Sequence, residues 1–91
     1  MATLIKANGN QTDIEPKNGL DFSLEELQKY VNGYIEIIWL GNGQIIVAND
    51  NAKFIEDNNE TATKIAEKHG ALFYGDYIAG DVVLCNDEEV R

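Results

Sequence analysis

Cys85 and His69 are the chain's only cysteine and histidine, so nucleophilic or metal chemistry would have to rest on these two side chains and the carboxylates. Cys85 ends the apolar run Val82-Val83-Leu84 and precedes Asn86-Asp87-Glu88-Glu89. Neighbouring acids raise a thiol pKa, the wrong direction for a nucleophile, so this side chain reads as core. His69 falls at the end of a helical pattern, where an imidazole interacts with the helix dipole or simply faces water. One cysteine permits neither an internal disulfide nor a Cys-based zinc site, and one histidine removes the His-pair zinc motifs. The acidic clusters Asp50/Glu56/Asp57/Glu60 and Asp87/Glu88/Glu89 have carboxylates for a divalent cation, but neither has the spacing of an EF-hand loop. Gly41-Asn42-Gly43 resembles a fragment of a phosphate loop, yet a strand follows it rather than a helix, which makes it turn chemistry. These residues point to a non-enzymatic domain with no cofactor and no metal.

A second constellation is polar. Glu36 on one β-rich segment faces Asn49 on the next, with Asn51 following and Glu60 and Thr61 at a predicted helix start. Such a group could bind a small polar ligand beside a helix N-terminus. A satisfied polar network is the competing reading.

The elements that must position these residues can be read from pattern. Residues 2–8 predict a strand, Asn8-Gly9 a two-residue hairpin turn, and 10–15 a polar return strand anchored by Ile14. Ser23-Leu24-Glu25-Glu26 is a capping box with Phe22 and Leu27 at the staple positions. Leu24, Leu27 and Val31 share a face, and Asn32-Gly33 ends a helix over 23–32. Residues 34–40 and 44–49 predict a hairpin through Asn42-Gly43. A tight turn there would set Trp39 opposite Ile46 on one face. The other face would carry Ile38 with Val47, Leu40 with Ile45, and Glu36 with Asn49. Phe54 and Ile55 would pin the connection over 50–58. Asn58 or Asn59 caps a second helix with an Ala62, Ile65, Ala66 stripe, ended by Gly70. Phe73, Tyr74 and Tyr77 suggest a structured loop, Val82–Cys85 an internal strand, and Asn86 to Arg91 a charged tail. The order ββαββαβ predicts one α+β domain over 1–91, a mainly antiparallel sheet with both helices on one face. The nearest named architecture is a ferredoxin-like split.

Seven basic against sixteen acidic side chains give a net charge of −9. That balance argues against holding nucleic acid through a basic surface or docking on anionic lipid. Trp39 and the tyrosines could stack bases, but no basic residue lies between Gly33 and Lys53 to hold a backbone. No run of about 18 apolar residues is available for a membrane span. The first residues lack the basic and apolar regions of a signal peptide, which points to the cytoplasm.

Gly33-Tyr34-Ile35-Glu36-Ile37, Val47-Ala48-Asn49-Asp50, Asn59 with Ala62-Thr63, and Ala79-Gly80-Asp81-Val82-Val83-Leu84-Cys85 resemble the signature of a small stand-alone domain of unknown function. That family is found in bacteria, phages and mobile elements. The likeness extends from Leu24 to Cys85 and departs at Asp50, where glutamate is more usual, and at Asn51-Ala52-Lys53, where a glycine turn is usual. It implies a fold and a mobile-element setting, and no activity.

The expected function is a protein-interaction module. Ile38, Leu40, Ile45 and Val47 would form an aliphatic patch for a second copy or a host protein. An acidic DNA mimic and a small-ligand or nucleotide sequestering domain using Glu36, Asn49, Asn51, Glu60 and Thr61 are the alternatives.

Overall fold

Three kinds of local chemistry set the chain's elements: caps, glycine turns and strands apolar on both sides. The computed structural model describes residues 2–52, 56–72 and 75–90. Its elements are β1 (Ala2–Ile5), β2 (Gln11–Ile14), α1 (Leu24–Val31), β3 (Ile35–Trp39), β4 (Gln44–Asn49), α2 (Glu60–Lys68) and β5 (Val82–Asn86). The order is the expected ββαββαβ, and the fold is α+β. The expected anchors Phe54 and Ile55, and the pair Phe73 and Tyr74, lie outside the described residues. No helix among the described residues is long and apolar enough to cross a membrane.

The capping box at Ser23 forms as read. The Ser23 hydroxyl accepts from the Glu26 amide at 3.2 Å, and a Glu26 carboxylate oxygen accepts from the Ser23 amide at 3.1 Å. The Lys17 amide also donates to that carboxylate, and these amide donors hold the Glu26 pKa below its ordinary value. Asn32 ends α1 in the left-handed region at φ 64°, a conformation asparagine tolerates better than most residues. Phe22, Leu27 and Val31 are buried, whereas Leu24, expected on the same face, is exposed.

All neighbouring strands run antiparallel, in the order β2-β1-β5-β4-β3. β5 lies at the centre, as its uniform apolarity implied. Because β4 and β5 are apolar on both sides, each side takes a helix. Ile45, Val47, Val83 and Cys85 pack with Phe22, Leu27 and Val31 on the α1 side. Ile46, Ala48 and Val82 pack with Ile5, Ala62, Ala66 and Ile78 on the α2 side. The helices therefore lie on opposite faces, which corrects the single-face expectation. The ferredoxin-like order is corrected too: it would set β4 beside β1, and β5 lies between them.

Both hairpin loops are one residue longer than the Asn-Gly dipeptides suggest. The Lys6 amide donates to the Asn10 carbonyl at 2.8 Å, and the Leu40 amide to the Gln44 carbonyl at 3.1 Å. The loops are thus Ala7-Asn8-Gly9 and Gly41-Asn42-Gly43. Three-residue hairpin loops need a left-handed residue, and Gly9 at φ 94° and Gly43 at φ 87° supply it.

The extra residue shifts the β3–β4 register by one, so Trp39 pairs with Ile45, Ile38 with Ile46 and Glu36 with Ala48. A slip of one residue changes which partners share a face. Leu40, Ile45 and Val47 are buried and Ile38 is half-buried, divided between the two cores. The aliphatic patch expected from these four side chains is therefore interior. Trp39, expected opposite Ile46, instead pairs with Ile45 and is 64% exposed in the chain.

The charged tail is also structured. Asp87–Glu89 forms a 3-10 turn, and Val90 packs on the α1-side core beside Phe22.

Candidate functional site

Asn49, expected as a ligand contact, closes the end of α1. Its amide nitrogen donates to the Val31 and Asn32 carbonyls, each at 3.1 Å, and its oxygen accepts from the Asn51 amide at 2.8 Å. Only glycine leaves room for it: a Cβ on Gly33 would come within 2.6 Å of the Asn49 amide nitrogen. Helix carbonyls that lack a partner are costly to bury, and one asparagine satisfies two here. Asn51 is itself exposed and contributes its backbone amide.

Asn59 does the same work at the start of α2. Its oxygen caps the Ala62 amide at 3.0 Å, while its nitrogen donates to the Ile5 carbonyl at 3.0 Å and the Gly80 carbonyl at 2.8 Å. It is fully buried. One side chain thereby joins the helix start, the end of β1 and the approach to β5. Of the two expected caps, Asn58 or Asn59, it is Asn59 that caps the helix; its polar position before a small-residue stripe carries no sign of the two long-range bonds. Thr63 extends the network, its hydroxyl accepting from the Ile78 amide at 2.9 Å and donating to the Asn59 carbonyl at 2.7 Å. Glu60 is exposed and Thr61 half-buried on the first turn of α2.

The structure therefore does not assemble the five predicted ligand residues into one site. Glu36 and Asn49 are not cross-strand partners, because Asn49 pairs with Ile35. Both border a cavity of about 90 Å³ with Ala48, Asp50, Ala52, Tyr77, Ile78 and Ala79. Ligand pockets run to about 300–1,000 Å³, so this one suits a few water molecules and no nucleotide. Glu60 and Thr61 do not line it. A wider, open cleft of about 430 Å³ lies where Glu15 and Lys17 meet Ser23, Glu26, Lys29 and Tyr30 of α1 and its cap.

Cys85 is buried, and burial with Glu89 and Asp87 nearby pushes its thiol from an ordinary 9.0 up to about 11. It stays protonated at neutral pH, as the acidic neighbours implied. His69 is exposed at the end of α2. Among the described residues, no three histidine, cysteine, aspartate or glutamate side chains converge as metal ligands do.

What the fold does leave available is the outer side of β3. β3 is an outermost strand, and β4 is its only neighbour in the sheet among the described residues. Antiparallel pairs alternate between bonded and non-bonded positions. The Leu40–Gln44 and Tyr34–Asp50 bonds place Glu36 and Ile38 on the bonded positions toward β4. The amides and carbonyls of Ile35, Ile37 and Trp39 accordingly point outward. Their side chains share the α1 side with Ile45 and Val47, and Ile35 and Ile37 are half-buried there. Trp39 projects past the cover of α1, and Tyr34, just before the strand, is 72% exposed. Sequence reasoning missed this edge because the assumed turn put Trp39 opposite Ile46.

No curated protein and no solved structure matches the chain. Residues 2–90 match the family described as Domain of unknown function (DUF3846), a span that includes the whole described sheet and both helices. The α+β chain belongs to that family.

Proposed function

We propose that the domain is a non-enzymatic binding module that recognises a protein along the outer side of β3. The observation that carries this reading is Trp39, 64% exposed at the end of an outermost strand. Tryptophan is among the residues most enriched at the energetic centres of protein interfaces, and exposing its ring to water is unfavourable. Ile35 and Ile37 continue the same apolar row, with outward amides and carbonyls beside them. A free strand edge of this composition is a template for strand addition. A phage or mobile-element setting, implied by the sequence resemblance, suits a small modulator of a host protein.

Photo-crosslinking tests the reading. A benzophenone amino acid placed at position 34, beside an intact Trp39, is expected to yield a discrete protein adduct in source cells, while the same group at Thr12 on β2 yields none. Equal labelling from both positions, or none from position 34, contradicts recognition through β3.

A further inference from the structure

Resting on that reading, we propose that the occupant of the β3 edge is an extended segment of another protein that alternates apolar and basic side chains, pairing as a sixth strand. The choice of occupant comes from charge and register. Between Lys29 and Lys53 the chain carries Glu36 and Asp50 and no basic residue. The whole chain carries −9, so its field attracts a cationic segment and repels an anionic one.

Register then assigns the alternation. An added strand bonds to the outward amides and carbonyls of Ile35, Ile37 and Trp39. Its side chains opposite these three lie on the α1 side, beside an apolar row, and must be apolar or aromatic. Its intervening side chains lie on the α2 side, next to Glu36 and Ile38. Glu36 is exposed, and an opposite charge across a strand pair is stabilising where a like charge is not. A lysine or arginine belongs there.

A second copy of this chain fits less well. Antiparallel pairing of β3 with itself about Ile37 puts both Glu36 carboxylates on one face of the seam, diagonal to each other. Each copy also brings a charge of −9.

Two synthetic heptapeptides alternating valine with lysine, or valine with glutamate, separate the possibilities. Amide hydrogen exchange is followed by NMR, and sedimentation reports self-association. The lysine peptide is expected to slow exchange at Ile35, Ile37 and Trp39. Its affinity should fall at least about fivefold from low salt to 0.5 M salt, as an exposed charge contact does. The glutamate peptide should leave β3 unchanged, and Glu36→Lys should weaken the lysine peptide and admit the glutamate one. Equal protection by both peptides overturns the basic occupant and leaves the edge reading standing. Protection of β3 by self-association alone assigns the edge to a second copy and likewise overturns the basic occupant. A monomer whose β3 amides respond to neither peptide overturns both readings.

Discussion

At one side of the sheet, β2 presents Gln11, Thr12 and Asp13, all exposed, and the chain then turns away through Glu15-Pro16. At the other, β3 presents Ile35, Ile37 and Trp39. β2 is four residues long, and the bonding alternation set by the Lys6–Asn10 pair leaves only the amides of Gln11 and Asp13 facing outward. A short polar strand, a carboxylate beside an outward amide and a nearby proline all discourage further pairing. β3 has no proline, no lysine and one charge. Its outward amides belong to its apolar residues. Two edges of one sheet thus obey different rules, and the proposed recognition uses the edge that has none of these devices among the described residues.

The largest effects should come from the tethers that hold each edge in place. Asn59→Ala removes the cap of α2 and leaves the Ile5 and Gly80 carbonyls buried without their donor. A loss of about 3 kcal/mol is expected, read from the urea midpoint, with the β1–β2 side loosening first in hydrogen exchange. Asn49→Ala frees the carbonyls at the end of α1 beside β3 and should cost about 2 kcal/mol. Gly33→Ala should cost a similar amount by crowding Asn49, and the double variant should lose less than the sum, since both act on one contact. Additive losses would show that Gly33 is required for some other reason.

Smaller effects sharpen the contrast. Ser23→Ala should cost about 1 kcal/mol, the usual magnitude for a lost N-cap. An unchanged midpoint would contradict the role given to the capping box. Trp39→Ala should change stability by no more than about 0.5 kcal/mol, as surface substitutions do, and still abolish the crosslinked adduct of a benzophenone placed at Tyr34. Native Trp39 fluorescence should lie close to that of free indole. A strongly blue-shifted emission in the monomer would mean that the ring is covered.

Legibility in the sequence followed the range of the interactions. The capping box, the left-handed stop at Asn32, the stripe of α2 and the interior strand of Val82–Cys85 were legible because each depends on neighbours a few residues away. The two faces were not. Gly41-Asn42-Gly43 offers both a two-residue and a three-residue loop, and that single choice exchanges which residues share a side with Trp39. Mistaken pairing turned Ile38, Leu40, Ile45 and Val47 into a surface patch and set Glu36 directly opposite Asn49, whereas Glu36 pairs with Ala48 and meets Asn49 only at the rim of a small cavity. Asn49 stood out as a candidate ligand contact and Asn59 as one of two candidate caps, but their partners lie 17 to 54 positions away. Nothing local encodes those bonds. Glycine offered a partial signal, because Gly33 sits where the Asn49 side chain needs close backbone approach.

Hydrogen exchange of the outward amides tests the contrast between the two edges most directly. In the free domain, Ile35, Ile37 and Trp39 should exchange faster than Glu36, Ile38 and Leu40, whose amides bond to β4. On addition of the valine–lysine heptapeptide, the first three should slow while Gln11 and Asp13 of β2 stay unchanged. Equal slowing at both edges, or slowing at β2 alone, would contradict the assignment of β3 as the binding edge.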